Sequence, residues 1–177
     1  MTYTFDEPRV GLLQVAVTDS GYTTANGTAL AIPTPPTVLG SVVRAFDPTY
    51  GEGEFIYAKG VASTVVKDWV GIPSDNFTLV RAVANGNYPV GVAMAAITAS
   101  YYGWVQITGK ALGNCLTSFT DNGYVNLTAT AGSMDDASVA GDFITGAVGA
   151  SSAVAGDLHA EFELSRPFAA QRLSLVG

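Results

Sequence analysis

From Gly53 onward, short runs rich in Val, Ile, Phe, Tyr, Trp and Thr recur every 10 to 20 residues between Gly, Asn and Asp. Period-2 runs of this kind predict strands over 54–58, 77–83, 90–98, 102–108, 124–130, 142–148 and 157–164. The last is the cleanest. Leu158, Ala160, Phe162 and Leu164 fall on one face and Asp157, His159, Glu161 and Glu163 on the other, the pattern of a half-buried strand. A helical turn fits only 93–99 and 134–139, and neither carries a long amphipathic period. The fold class expected is all-β, a compact β-barrel or β-sandwich.

The first 50 residues read differently. One strand candidate, 12–17, is followed by Asp19-Ser-Gly, Asn26-Gly-Thr and Ile32-Pro-Thr-Pro-Pro-Thr, where proline withdraws donors and favours extended backbone. The pattern divides the chain into an extended proline-containing arm, 1–47, and a β-rich domain, 48–177. Apolar groups of the arm need burial, so the arm is expected to clamp a partner or neighbour, or else to complete its own domain's sheet. The interface residues expected are Tyr3, Phe5, Leu12, Leu13, Val15, Ile32, Pro33, Pro35, Pro36 and Tyr50.

A weak internal repeat bears on architecture. Phe55 to Ala62 lines up with Trp104 to Ala111, Leu79 to Ala84 with Leu127 to Ala131, and Val90-Gly-Val-Ala with Thr145-Gly-Ala-Val. A period near 50 in two copies is too short an array for a solenoid and suits a duplicated barrel or sandwich. Chance similarity among Gly/Ala/Val-rich strands is the alternative.

The 177 residues are enough for one good-sized domain or two small ones without a disulfide staple. Only 13% of them are charged, so polarity comes from Gly, Thr, Ser and Asn, which excludes a coiled coil and a charge-rich disordered tail. A net charge of -7 argues against a nucleic-acid binder, which needs a basic stripe. That charge is uneven. Between Lys110 and Arg166 there is no Lys or Arg, while Asp121, Asp135, Asp136, Asp142, Asp157, Glu161 and Glu163 all occur. The opening Met-Thr-Tyr-Thr-Phe-Asp-Glu lacks a secretory pattern. Residues 82–109 are uncharged, but Asn85, Gly86, Asn87, Pro89, Gly91 and Gly103 interrupt them, so two buried strands are expected there and no membrane contact.

Candidate chemistry is sparse. His159 is the only histidine and so the only base for a Ser-His-Asp arrangement, and it falls on the polar face of a strand without a Gly-x-Ser-x-Gly elbow. Glu161 and Glu163 are about 7 Å apart by strand rise, within the range of an inverting glycosidase pair, yet such pairs come from different elements. Asp135, Asp136 and Asp142 lack the calcium-loop spacing. Cys115 is the single cysteine, which with one His excludes a Cys/His zinc site within one chain. Three Asn-x-Thr sequons begin at Asn26, Asn76 and Asn126. Trp69 and Trp104 read as core or interface anchors. No enzyme activity and no cofactor are expected.

The stretches Val42-Val-Arg-Ala-Phe-Asp-Pro-Thr-Tyr-Gly-Glu-Gly-Glu-Phe-Ile-Tyr-Ala-Lys-Gly-Val-Ala62, Tyr102-Gly-Trp-Val-Gln-Ile-Thr-Gly-Lys-Ala111, and Leu127-Thr-Ala-Thr-Ala-Gly with Asp135-Asp-Ala and Ala140-Gly-Asp-Phe-Ile-Thr-Gly146 carry a resemblance. Over about 42–167 the chain resembles tailed-bacteriophage capsid decoration, or cement, proteins. The resemblance implies a small β-rich virion structural protein, made in the host cytoplasm and bound to the outside of an assembled capsid. There it stabilises the shell by bridging capsomers. The partners implied are the major capsid protein and neighbouring copies, most simply as a homotrimer. A phage tail or fibre subunit, or a cell-surface adhesin, shares the composition. A glycan hydrolase using Glu161 or Glu163 is the alternative from another class.

Overall fold

The computed structural model describes residues 4–5, 35, 37–99, 101–137, 142–154 and 156–170. Among them the chain is all-β, as the alternation predicts. Twelve strands occur: β1 Thr4–Phe5, β2 Val42–Asp47, β3 Gly51–Lys59, β4 Trp69–Gly71, β5 Val80–Arg81, β6 Tyr88–Ala93, β7 Tyr102–Gln106, β8 Thr108–Asn114, β9 Tyr124–Leu127, β10 Met134–Asp135, β11 Phe143–Gly149 and β12 His159–Ala169. The main path runs β1-β2-β3-β7-β6-β12-β11-β9-β10 and does not close on itself, so the barrel alternative gives way to an open, folded sheet.

The pairings resolve into two modules of one design. In residues 51–106 the order is β3-β7-β6-β4-β5; in 108–169 it is β8-β12-β11-β9-β10, every pairing antiparallel. Matching strands begin 54 to 57 residues apart. The backbone agrees in detail: Gly60 N donates to Tyr101 O (2.8 Å) as Cys115 N does to Leu158 O (2.9 Å), and Ala93 N to Asp68 O (2.8 Å) as Gly149 N does to Gly123 O (3.0 Å). The duplication is present, but its register corrects the alignment near 50. Phe55–Ala62 and Trp104–Ala111 are not equivalents, because β3 and β7 are neighbours, with Tyr57 opposite Trp104. None of the three matches sits in register: with Val92 matched to Val148, Gly91 falls on Ala147, one residue past Gly146.

Each module has its own core. Val70, Ile72, Leu79, Val105 and Ile107 fill the first. Val125, Leu127, Met134, Phe162 and Leu164 fill the second, which Trp69 and Val92 of the first also enter. A third cluster, with Phe55, Tyr57, Tyr102 and Trp104, lies on the opposite face of β3 and β7. The modules meet where the end of β12 lies between β6 and β11 (Phe168 opposite Pro89 and Thr145). There the β11–β12 register shifts between Thr145 and Ala147. Gly146 (φ 75°) makes this bulge possible, since a Cβ would stand 2.6 Å from Ser165 O.

Several expectations change. Residues 42–47 pair with residues 51–56 of β3 and Thr4–Phe5 pairs with β2, so this part of the span 1–47 belongs to the domain's own sheet. The strands β2, β4, β8 and β10 were not foreseen, and 77–83 shrinks to β5. Met134–Asp135 is strand instead of helical turn, held by Leu127 and Asn126. Leu158 breaks the alternation: its φ of 49° turns it outward, 44% exposed, while Ala160, Phe162 and Leu164 are buried. Residues 82–109 supply β6 and β7 joined by bends, and no helix among the described residues is long and apolar enough to cross a membrane.

Candidate interaction surface

Of the interface residues expected in the arm, Tyr3, Leu12, Leu13, Val15, Ile32, Pro33 and Pro36 lie outside the described residues. Phe5 is paired with Ala45 through β1, and Pro35 is half-buried. Tyr50 is half-buried against the Phe55–Trp104 cluster, in a turn whose Thr49 and Tyr50 amides both donate to Asp47 Oδ1 (2.8 and 3.0 Å).

The polar groups singled out by the sequence have local partners. His159 Nδ1 lies 3.3 Å from Lys67 Nζ and from Asp157 O. Lys110 Nζ pairs with Glu161 Oε2 at 2.8 Å, and this bond holds the ammonium above its ordinary pKa. Asp136 Oδ2 accepts from the Thr120 hydroxyl and amide, which holds its carboxyl below the usual range. Asp142 is buried and takes the Asn85 amide at 2.5 Å. Asp135 Oδ1 takes the Asp136 amide. Among the described residues, no three His, Cys, Asp or Glu side chains cluster as metal ligands. Trp69 and Trp104 are fully buried.

Three apolar surfaces, none of them anticipated, stand out. The first runs across the outer face of β2 and β3. Val42 (41% exposed) and Phe46 (49%) alternate with core-facing Val43 and Ala45, and Arg44 between them pairs with Glu52 (3.2 Å) and Glu54 (3.5 Å). Next to it a groove of about 310 Å³ follows the seam between the modules, lined by Ile56, Phe77, Ile107, Pro167 and Phe168. Arg166 closes its end, bonded to Glu54 (2.8 Å) in left-handed backbone (φ 47°). The second surface is a loop end where Val65, Val66, Val154 and Leu158 are each 44–50% exposed around Lys67 and His159. The third is the β9–β11 face, with Tyr124 72% exposed beside Val148, its ring edge-on to Phe143 at 5.9 Å.

A buried knot ties the first module to the second. Asp68 takes Arg81 Nε (2.8 Å), Asn114 Nδ2 (3.0 Å) and the Val65 amide (3.0 Å). Asn114 N also donates to Lys67 O, and Trp69 N to Gly132 O. The loop end carrying Val65 and Val66 is therefore held rigidly, so those valines are presented at little entropic cost. No family model matches the chain, and no curated protein or solved structure matches it.

Proposed function

We propose that this chain is a virion structural protein, bound to the outer surface of an assembled phage capsid and stabilising it by bridging capsomers, with the major capsid protein and neighbouring copies as partners. The sequence resemblance supports the reading, and so does a composition poor in charge, since interface cores are depleted in Lys, Glu and Asp. The observation that carries it is the outer face of β2. An exposed apolar row of Val42 and Phe46 continues into an apolar groove, and its few charges, Arg44, Glu52, Glu54 and Arg166, are already neutralised by each other. Such a face loses little on desolvation and gains apolar burial of about 25 cal/mol per Å².

The test is co-sedimentation of the purified chain with empty capsid shells of the phage that carries its gene. Saturable binding at a fixed ratio to capsid subunits is expected, weakened at least about tenfold, or 1.4 kcal/mol, by Phe46→Asp or Phe168→Ser. Wild-type chain that stays in the supernatant at every shell concentration overturns the reading.

A further inference from the structure

The two modules set the same backbone in two surroundings, and the differences mark surfaces that lack a partner. The turn 64–68 repeats at 119–123. Asp68 N donates to Val65 O at 3.2 Å as Gly123 N does to Thr120 O at 3.2 Å, and Lys67 (φ 69°) matches Asn122 (φ 58°) in left-handed backbone. Both tips face water. The second module fills its tip with Thr120 and Asp121, as turn chemistry favours, whereas the first fills the same two positions with Val65 and Val66, half-exposed. Among the described residues, nothing requires apolar residues there.

A second mismatch involves a cross-strand pair. Trp69 opposite Val92 in the first module corresponds to Tyr124 opposite Val148 in the second. The first pair is wholly buried beneath the other module, with Trp69 edge-on to Phe162 at 5.0 Å. The second pair has no module over it and remains 72% and 38% exposed.

The two bare surfaces differ in charge. Lys67 and His159 stand among Val65, Val66 and Leu158, while Asp121 and Asp136 flank the turn that leads into Tyr124. Pairing like with like would oppose lysine to lysine, or carboxylate to carboxylate. Pairing unlike ends joins apolar to apolar and cation to anion.

We propose that the Val65-Val66-Lys67 turn of one copy docks on the Tyr124–Val148 face of a second copy, head to tail. A contact of this kind is heterologous, so it closes into a ring or runs on as a chain. It deepens the self-association within the proposed function, and its test needs no shell.

Sedimentation velocity on the full chain tests it. The wild type associates with rising concentration, and Val66→Asp or Tyr124→Ser each weakens association at least about tenfold. Both positions are exposed, so each variant keeps the wild-type thermal midpoint to within a few degrees. The decisive arm mixes the two variants. Each retains one intact end, so the mixture forms a heterodimer that neither variant forms alone. Lys67→Glu also weakens association, and Asp121→Lys on the mixing partner recovers it. A wild type that is monomeric up to roughly millimolar concentration, the range of the weakest interfaces, overturns the contact. So does a mixture that yields no heterodimer. A monomer that still binds shells sinks this contact alone, whereas a head-to-tail oligomer that ignores shells sinks the capsid reading alone.

Discussion

The first module buries Trp69 and Val92 where the second leaves Tyr124 and Val148 in water, although the strands that carry them pair alike. The backbone pattern alone therefore does not decide what is core. What decides it is the presence of a covering layer, and the first module has one because the second follows it in the chain. A fold repeated twice in tandem has one such face too many.

The largest consequence falls on Trp69. Trp69→Ala is expected to cost about 3–5 kcal/mol in urea unfolding, the range for deleting a large buried aromatic. Tyr124→Ala, at the matching site, stays within about 0.5 kcal/mol in dilute solution. Trp69 Nε1 has no hydrogen-bond partner among the described residues, so Trp69→Phe, which loses mainly area, costs about 1–2 kcal/mol. Equal losses at Trp69 and Tyr124 would break the comparison.

The knot at Asp68 comes next. The matching position in the second module is Gly123, so the carboxylate is a feature of the first module only. Asp68→Ala leaves the Val65 amide and Asn114 Nδ2 without their acceptor and strips Arg81 of its ion pair, and about 3 kcal/mol is expected by chemical denaturation. A loss under 1 kcal/mol would mean that the modules are held together by apolar contact alone.

Cys115 sharpens the contrast in the opposite module. Its counterpart is Gly60, where a Cβ would meet Ile97 O at 2.0 Å, so the first module has no room for a side chain. Burial pushes the Cys115 thiol up to about 11, and the carboxylates of Asp135 and Asp136 add to the shift. The unfolded thiol ionises near 8.5, so the folded state disfavours the thiolate. Stability is thus unaffected below about pH 8 and falls as pH rises from about 8.5 toward 11. Cys115→Ala should remove that part of the alkaline slope, and native protein at pH 8 should resist iodoacetamide. Rapid native alkylation at pH 8 would show that the site opens.

Much of the fold was legible because alternation survives in the long strands, as Phe55 and Tyr57 in β3 and Ala160, Phe162 and Leu164 in β12 attest. What escaped reading has physical causes. The strand β8 contains Gly109, Gly113 and Asn114, residues that favour turns, yet Gly113 is needed there because a Cβ would press on the Trp69 ring at 2.5 Å. Trp69–Gly71 is too short to show a period. The repeat near 50 falls out of register because aromatic-led strands such as β3 and β7 look alike. A signal for one of the exposed apolar surfaces was present: two valines between Thr64 and Lys67 at a tight turn, where polar residues are the rule.

The smallest expected effect tests that signal directly. Grafting the second module's tip onto the first, Val65→Thr with Val66→Asp, keeps the backbone that both tips already share. Each valine is about half-exposed and loses little burial, while Thr and Asp restore side chains that suit the turn. Thermal unfolding of the doubly substituted chain, kept dilute, should match the wild type to within about 0.5 kcal/mol or exceed it slightly. A loss above 1 kcal/mol would show that the valines serve the first module's own packing. If stability holds while concentrated samples lose association, the valines serve a partner, and the asymmetry between the modules is functional in origin.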